Sequence, residues 1–514
     1  IGDVTADVTS FKPEQIQSLH RTTEGWVAAL WLASVALEGR RNPDEFIAGF
    51  TGSNAAVADY LAEDVLKRQP DDVQEFLLKT CVLDQLDAES CDAVCGRLDS
   101  AERLRAIERA NLFLMPVDEN RSAYRYHSLF ADFLRGQLKR LHPEWHAQQH
   151  RNASDWFLHA GRPIPAIQHA LASGDLKYAI DLLGQHADDL LGKGRLRLLT
   201  RWFDALPAGA LESHPRLRTI QAWAVTFTRG AQCALRLIEG TETLDDSEAH
   251  AQLLALRPML LGMMDRVAEA HDLALARVPL IQKSSRLGYG MLAQCLANTN
   301  LILGRFGDAR HYADEVRQTQ AGSESSFHVS IADTIEAAID LMQGRLRQAT
   351  ARLRIAAGAS GDDLVDRVSR NLFPGVLLAE VLYEAGDSET AKRLLSIFVP
   401  MAQDLGLADQ LITAHVLLAR ILDDGGDADA SIKVLTDLDS VGQRLGLQRA
   451  VACARLERAR SLVMRGDFSA AKDQLQLSGD AAFWSEVSSR HYVANDLATQ
   501  AIGKYRWMIR SGAE

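Results

Sequence analysis

The chain has 514 residues, 47% hydrophobic and 24% charged, the balance of a folded protein long enough for roughly three or four ordinary domains, or for fewer domains and a long repeat array. A formal charge of −12 argues against nucleic-acid binding by the chain itself, because phosphate recognition is driven by clustered Lys and Arg; DNA contact through a segment outside it stays open. No apolar run reaches the roughly 18 residues of a membrane span, and six scattered cysteines (Cys81, Cys91, Cys95, Cys233, Cys295, Cys453) form no disulfide framework, which points to a reducing cytoplasm.

The start, Ile1-Gly2-Asp3-Val4-Thr5, has no signal-peptide pattern and reads as the beginning of a fragment of a longer protein. Residues 14 to 39 are predicted as one helical region broken at Thr23-Glu24-Gly25-Trp26. The stretch Val27 to Ala33 is apolar almost all round and should be buried. Short amphipathic helices follow between 55 and 113. Leu112 to Val117 and Ala123 to His127 are extended runs flanking the polar turn Asp118-Glu119-Asn120-Arg121, which predicts a β-hairpin. Helices before a hairpin and Leu129 to Leu134 after it suggest a winged helix.

From about 144 the chain reads as almost entirely helical. Gly161 with Ala166 and Gly174-Asp175 with Ala179 mark early breaks, and Leu206-Pro207 and His214-Pro215 mark others. A longer period then sets in. Gly304, Gly344, Gly386, Gly426 and Gly466 are spaced 40, 42, 40 and 40 residues apart, with Ala309, Ala349, Ala391, Ala430 and Ala470 behind them. Leu405-Gly406-Leu407 and Leu445-Gly446-Leu447 repeat at the same interval of 40. A fixed period of this size marks an α-solenoid of stacked helix pairs. Each Gly ends a helix or permits a tight turn, and each Ala sits where helices pack closely.

Several stretches together resemble the large ATP-dependent LuxR-type transcription regulators, the MalT-like group of signal-transduction ATPases with numerous domains. They are Thr23-Glu24-Gly25-Trp26, Asp59 to Leu66, Phe76 to Thr80, Ala110 to Leu114, Tyr124-Arg125-Tyr126-His127-Ser128-Leu129-Phe130, Ala166 to Leu171, and Trp202 to Pro207. The resemblance implies a P-loop ATPase module, a winged helix, a tetratricopeptide-like superhelix that binds an inducer, and a C-terminal helix-turn-helix that binds DNA. The chain holds no G-x-x-x-x-G-K-[ST] and no recognisable helix-turn-helix near Glu514. The expected division is therefore 1–68, the helical end of the ATPase module; 69–142, the winged helix; 143–230, short linking helices; and 231–514, the sensor superhelix.

The resemblance places Gly25-Trp26-Val27 beside the adenine of ATP or ADP, although Val27 stands where related ATPases often carry proline; a buried turn between helices is the plainer reading. It places His127 against the β-phosphate of ADP, where an imidazole N–H can donate; the alternative is a histidine packing the wing on the next helix. Tight nucleotide binding by this chain is not expected without the P-loop. His142, His146 and His150 share a helical face, but no acidic or cysteine partner is placed beside them, so no metal site is assigned. Cys91 and Cys95, four apart on a helix, read as buried packing residues. Arg97, Arg103, Arg105 and Arg109 interleave with Glu102 and Glu108, and helical i,i+4 pairing explains them without DNA.

In the solenoid, Arg216, Trp223, Tyr289, Asn298, Asn300, Arg370 and Asn371 are candidates to line a ligand groove; each can equally be structural. No nucleophile constellation, paired-carboxylate motif or cofactor loop is present, so an enzyme is not expected. The fold expected is mainly α: a winged-helix domain followed by a tetratricopeptide-like α-solenoid superhelix. The function expected is sensing, with an inducer (small molecule or protein) shifting the parent protein toward self-association and DNA binding. A scaffold or peptide-binding adaptor with no link to transcription is the alternative.

Overall fold

The structure is a computed structural model and describes residues 13–26, 33, 58, 61–239, 247–281, 285–320, 327–358, 372–405, 407–494 and 500–512. The chain divides into two compact units, Ile1–His186 and Ala187–Glu514. Of the apolar stretch Val27 to Ala33, only Ala33 lies among the described residues, and it is fully buried.

In the first unit α1 (Pro13–Thr23) ends at a left-handed pair, Glu24 with φ 47° and Gly25 with φ 79°. A π-helical turn (Leu61–Leu66) precedes α2 (Asp71–Thr80), α3 (Ala88–Cys95) and α4 (Ser100–Arg109). Asp87 and Ser90 cap α3 reciprocally, and Gly96 at φ 65° ends it. The expected hairpin is present: β1 (Leu114–Pro116) pairs antiparallel with β2 (Tyr124–Tyr126), Leu114 opposite Tyr126. Leu86 exchanges two backbone bonds of 2.8 Å with Tyr124 and adds a third, single-residue rung. Then come α5 (Ser128–Leu141), α6 (Pro143–His159) and α7 (Pro163–Ser173). Phe76, Leu77, Leu104, Ile107, Phe130 and Phe133 form the buried centre, so three helices, a hairpin and α5 close a winged helix around one core.

After α8 (Leu176–Gly192) and α9 (Leu196–Asp204), seven helix pairs follow among the described residues of the second unit: α10 (Pro215–Arg229) with α11 (Ala231–Ile238), α12 (Ser247–Met263) with α13 (Val267–Arg277), α14 (Arg286–Ile302) with α15 (Phe306–Gln320), α16 (Phe327–Met342) with α17 (Leu346–Ala356), α18 (Leu372–Glu384) with α19 (Ser388–Leu405), α20 (Ala408–Asp424) with α21 (Ala428–Leu445), and α22 (Gln448–Met464) with α23 (Phe468–Leu477). The first helix of each pair packs on the first helices before and after it, which makes one continuous core from Ala222 onward. Two further helices, α24 (Ala481–Ser488) and α25 (Gln500–Ser511), end the unit, and α25 packs on α22 and α23.

The glycine punctuation has a definite cause. Gly304, Gly344, Gly386, Gly426 and Gly466 all have φ between 74° and 86°, the left-handed region that side chains resist. The residue after each glycine sends its N–H back to the last turn, as in Asp427 to Leu422 O at 2.9 Å. That residue is Asp in three of the five, because it also caps the next helix: Asp387, Asp427 and Asp467 accept from the N–H of Thr390, Ala430 and Ala470 at 3.1–3.2 Å. The close-packing position lies one residue later than expected in the last two repeats. Ala309, Ala349, Ala391, Ser431 and Ala471 are buried at five residues past each glycine, whereas Ala430 and Ala470 are only half-buried and serve as capped donors. Replacing Asp427 or Asp467 by Ala should cost about 1 kcal/mol each, read as a lower melting midpoint; an unchanged midpoint would mean that the caps are made by water instead.

Candidate functional site

In the first unit, the turn after α1 is clamped to the end of the wing. Arg125 holds the Glu24 carboxylate bidentately at 3.1 and 2.9 Å, and Ser128 donates from N–H to Glu24 (3.3 Å) and from its hydroxyl to Thr22 O (3.1 Å). Burial works against the Glu24 carboxylate, but the bonds from Arg125 and Ser128 hold its pKa below the usual carboxylate range. His127 Nε2 lies 2.9 Å from Thr23 O, and its ring meets Trp26 and Phe113 edge-on at 5.9 and 6.0 Å. His127 Nδ1 is buried with no partner among the described residues. The sequence candidates Gly25, Trp26 and His127 are therefore brought together, whereas Val27 lies outside the described residues.

The other histidines divide. His142 precedes α6 and stacks on Trp145 at 4.2 Å, while His146 and His150 lie 4.6 Å apart on the helix. His150 Nδ1 meets His169 Nδ1 of α7 at 2.8 Å, so one ring must carry the proton and the other accept it. Burial, then the neighbouring charges of His169 and His146, pushes His150 down to about 3; burial and Arg135 push His169 down to about 4 despite Asp84. Both are neutral in the fold and would take up protons near pH 6.5 once unfolded. Their contribution is thus complete above pH 6.5 and is lost as pH falls toward 4 and 3. Denaturation of the first unit should become easier over that window, and His169→Phe should flatten the slope; an unaltered slope would deny the pair this role.

Cys91 is buried and Cys95 half-buried, and burial pushes both thiols up, Cys95 to about 12, as packing residues rather than nucleophiles. Of the four arginines around α4, two are explained by ion pairs, with other partners than expected: Arg97 and Arg103 share Asp99 at 2.8 Å each, and Arg103 reaches Asp72 at 2.9 Å, whereas Arg105 and Arg109 make no ion pair among the described residues. Glu108 serves the wing, pairing with Arg121 and accepting from Tyr124, both at 3.1 Å.

The second unit forms a half-open cavity of about 190 Å³ along the inner faces of its first helices. Trp223 and Phe227 of α10, stacked at 5.8 Å, form one wall. Met259 and Met263 of α12 and Met291, Cys295 and Ile302 of α14 form the next, followed by Ile331 and Ile335 of α16 and Phe373 and Leu377 of α18. Burial pushes the Cys295 thiol up to about 12, so it belongs to the apolar lining. Asn298 lies on the same face of α14, exposed, and its amide has no partner among the described residues.

One polar cluster closes this cavity. Arg449, at the start of α22, binds Asp265 bidentately at 2.9 Å twice and meets Asp409 at 2.6 Å, although 184 residues separate it from Asp265. Tyr492 covers the guanidinium at 3.7 Å. Burial opposes the charge, but Asp265 and Asp409 outweigh it and hold the Arg449 pKa well above its usual value. Val493 N–H donates to Asp409 at 3.2 Å and His491 N–H to Ile302 O at 2.7 Å, so residues 491–493 cross from α14 to α20 and α22. The superhelix is thereby drawn into a closed turn in which the pair α12–α13 meets α22.

The repeat register explains the choice of these residues. Asp265 stands at the α12–α13 turn where later repeats carry glycine, with Arg266 after it and buried Ala270 five residues on. It keeps the left-handed backbone, φ 62°, without being glycine. That strain, on the order of 1–2 kcal/mol, is tolerated where the side chain has a task. Asp409 and Arg449 occupy equivalent positions of successive repeats, two residues after the Leu-Gly-Leu leucines Leu407 and Leu447.

Of the solenoid candidates, Trp223 and Asn298 line the cavity. Tyr289 does not: it is buried in the repeat core. Asn300 is also buried, its amide donating to Leu296 O at 2.9 Å. Arg216 is exposed and pairs with Asp188 at 2.6 Å, away from the cavity. Arg370 and Asn371 lie outside the described residues. The methionines and the Asp265–Arg449–Asp409 cluster were missed; counting back one period from Gly304 lands next to Asp265, the one signal that could have found it.

The family described as MalT winged helix domain matches residues 62–146, and the family described as MalT-like TPR region (tetratricopeptide repeats) matches 251–501. The serine/threonine-protein kinase PknK of Mycobacterium tuberculosis is 26% identical over 414 residues, covering 78% of this chain and 37% of that protein. The HTH-type transcriptional regulator MalT of Cronobacter sakazakii is 29% identical over 366 residues, covering 65% and 40%. The chain thus spans about two-fifths of the length of these curated relatives. A signal-transduction ATPase (STAND) protein with a tetratricopeptide repeat sensor from Pyrococcus horikoshii aligns over 88% of this chain and 71% of its own, with a TM-score of 0.45 and 11% identity. With a MalT winged helix domain followed by a MalT-like TPR region over most of its length, the chain belongs to the MalT-like family.

Proposed function

We propose that this chain is the signal-sensing and regulatory region of an ATP-dependent LuxR-type transcription activator, and that the cavity of its superhelix holds the inducer. The observation that carries the reading is the half-open cavity on the inner helices, bounded by Arg449 held against a carboxylate from a distant repeat, Asp265, and one from the preceding repeat, Asp409. A closed turn suits a small molecule better than a long peptide, which favours the sensor over the adaptor. An inducer that binds one arrangement of the repeats better than another shifts the population between them. In the longer protein that shift would release self-association, and with it DNA binding through a segment outside this chain, in the cytoplasm. The division at 1–68, 69–142, 143–230 and 231–514 belongs to the same proposal, as do the roles of Gly25, Trp26 and Val27 beside the adenine of ATP or ADP. His127 fits a phosphate in one respect, its unpartnered buried Nδ1; it would hold the phosphate while its other nitrogen anchors the Thr23 turn.

A thermal-shift screen of the chain against a metabolite library tests the sensor. A ligand at a hundred times its Kd raises stability by about 2.7 kcal/mol. Asn298→Trp, which fills the mouth of the cavity from an exposed position, should abolish the shift. Hits that ignore this substitution, or none across the library, would count against an inducer held here.

A further inference from the structure

We infer that the ligand of this cavity is a compact apolar molecule of one or two rings, uncharged or carrying a single positive charge, and neither an anion nor a polyhydroxylated sugar. The inference rests on reading the cavity as the inducer site and goes on to the chemistry of its occupant.

Size comes first. A protein cavity of about 150 Å³ with an apolar lining holds a benzene ring. The 190 Å³ here therefore suits a ring system of about six to nine atoms. Lining comes second. Trp223, Phe227, Met259, Met263, Met291 and Phe373 present aromatic faces and thioethers, which adapt to flat apolar shapes. Hydroxyls are poorly served. Thr299 and Thr334 already spend theirs on Cys295 O and Ser330 O of their own helices, at 2.9 and 2.7 Å. The amides of Gln294, Asn298 and Gln410 also line the cavity, but a sugar would bring more hydroxyls than these answer along a mostly apolar wall, and each unanswered one resists burial.

Charge comes third. The charged residues lining the cavity, among the described residues, are Asp265, Asp409 and Arg449. Arg449 is engaged from several sides: Asp265 takes its Nε–Nη2 edge in two hydrogen bonds, Asp409 stands 2.6 Å from Nη1, and Tyr492 covers a face. An anion beside it would face two carboxylates for the one cation. One guanidinium against two carboxylates leaves one excess negative charge in a wall that also carries π faces, and both attract a cation and repel an anion. Asn298, exposed and unpartnered, is placed to hydrogen-bond the ligand's polar end at the mouth.

The test is calorimetric titration of the full chain at pH 7 with indole, tryptamine, indole-3-acetate and glucose, which share or change one property at a time. Indole and tryptamine should bind, indole-3-acetate at least tenfold more weakly than either, and glucose not at all. Asn298→Trp should remove indole binding; Ile335→Trp, which fills the cavity from the next inner helix, α16, should do the same. If indole-3-acetate or glucose binds as tightly as indole, and Asn298→Trp removes it, the ligand class is wrong while the sensor reading survives. Indole binding that persists in both variants overturns the cavity as the site. Absence of binding by both indole and tryptamine at millimolar concentration overturns the ligand class, and the library screen then decides the sensor reading by itself.

Discussion

Arg449→Met should destabilise the repeat unit by about 3–5 kcal/mol. Methionine keeps much of the volume but removes the charge, and Asp265 and Asp409, at 19% and 14% side-chain exposure, are left facing each other without a cation. Breaking a mostly buried pair from one side costs more than the pair contributes, because the remaining charges stay desolvated. Arg449→Lys should recover little, since an ammonium cannot grip Asp265 with two parallel bonds while also meeting Asp409. Asp265→Gly with Arg449→Met should cost less than the two separate losses added together: the glycine relaxes the φ of 62° and removes one orphaned carboxylate. Calorimetric unfolding of the four proteins measures this. A loss below about 1 kcal/mol for Arg449→Met would mean that other contacts close the superhelix.

The second large effect lies between α18 and α19. A Cβ built on Gly375 would stand 2.0 Å from Cζ of Phe398, whose ring is fully buried. The glycine is there for space, since the ring lies on bare backbone. Gly375→Ala should therefore cost about 1–3 kcal/mol through overpacking, and Phe398→Ala about 3–5 kcal/mol through the cavity it leaves. The two are coupled. With Phe398→Leu the alanine at 375 has room, so the double variant should be more stable than the sum of its parts by about 1 kcal/mol or more. Chemical denaturation of the complete cycle reads the coupling; additive losses would deny that the two residues share one space.

The sequence was most legible where backbone geometry dictates residue type. Gly386-Asp387, Gly426-Asp427 and Gly466-Asp467 announce a left-handed helix end followed at once by a cap, and the structure has both. The hairpin was legible for a similar reason, with alternation in Tyr124-Arg125-Tyr126 and a polar turn before it. The cavity was not. Met259, Met263 and Met291 look like ordinary core residues, and which helix faces inward is decided by the superhelical turn, a property of many repeats together. Tyr289 illustrates the ambiguity: it lies two residues from Met291 on α14, yet it packs into the repeat core. Asp265 escaped because the period was counted on glycines, and the repeat that departs from glycine is the one whose side chain closes the turn. Ala430 and Ala470 were misplaced by one residue for lack of a cap criterion.

The most direct measurement of the sensor proposal is hydrogen–deuterium exchange on the full chain with and without a ligand that raises its melting point. Slower exchange should appear along residues 286–302 of α14 and across 489–494, where the cavity wall and the closing segment lie. Protection confined to residues 13–26 and 124–128, or absent throughout, would contradict a ligand held inside the superhelix.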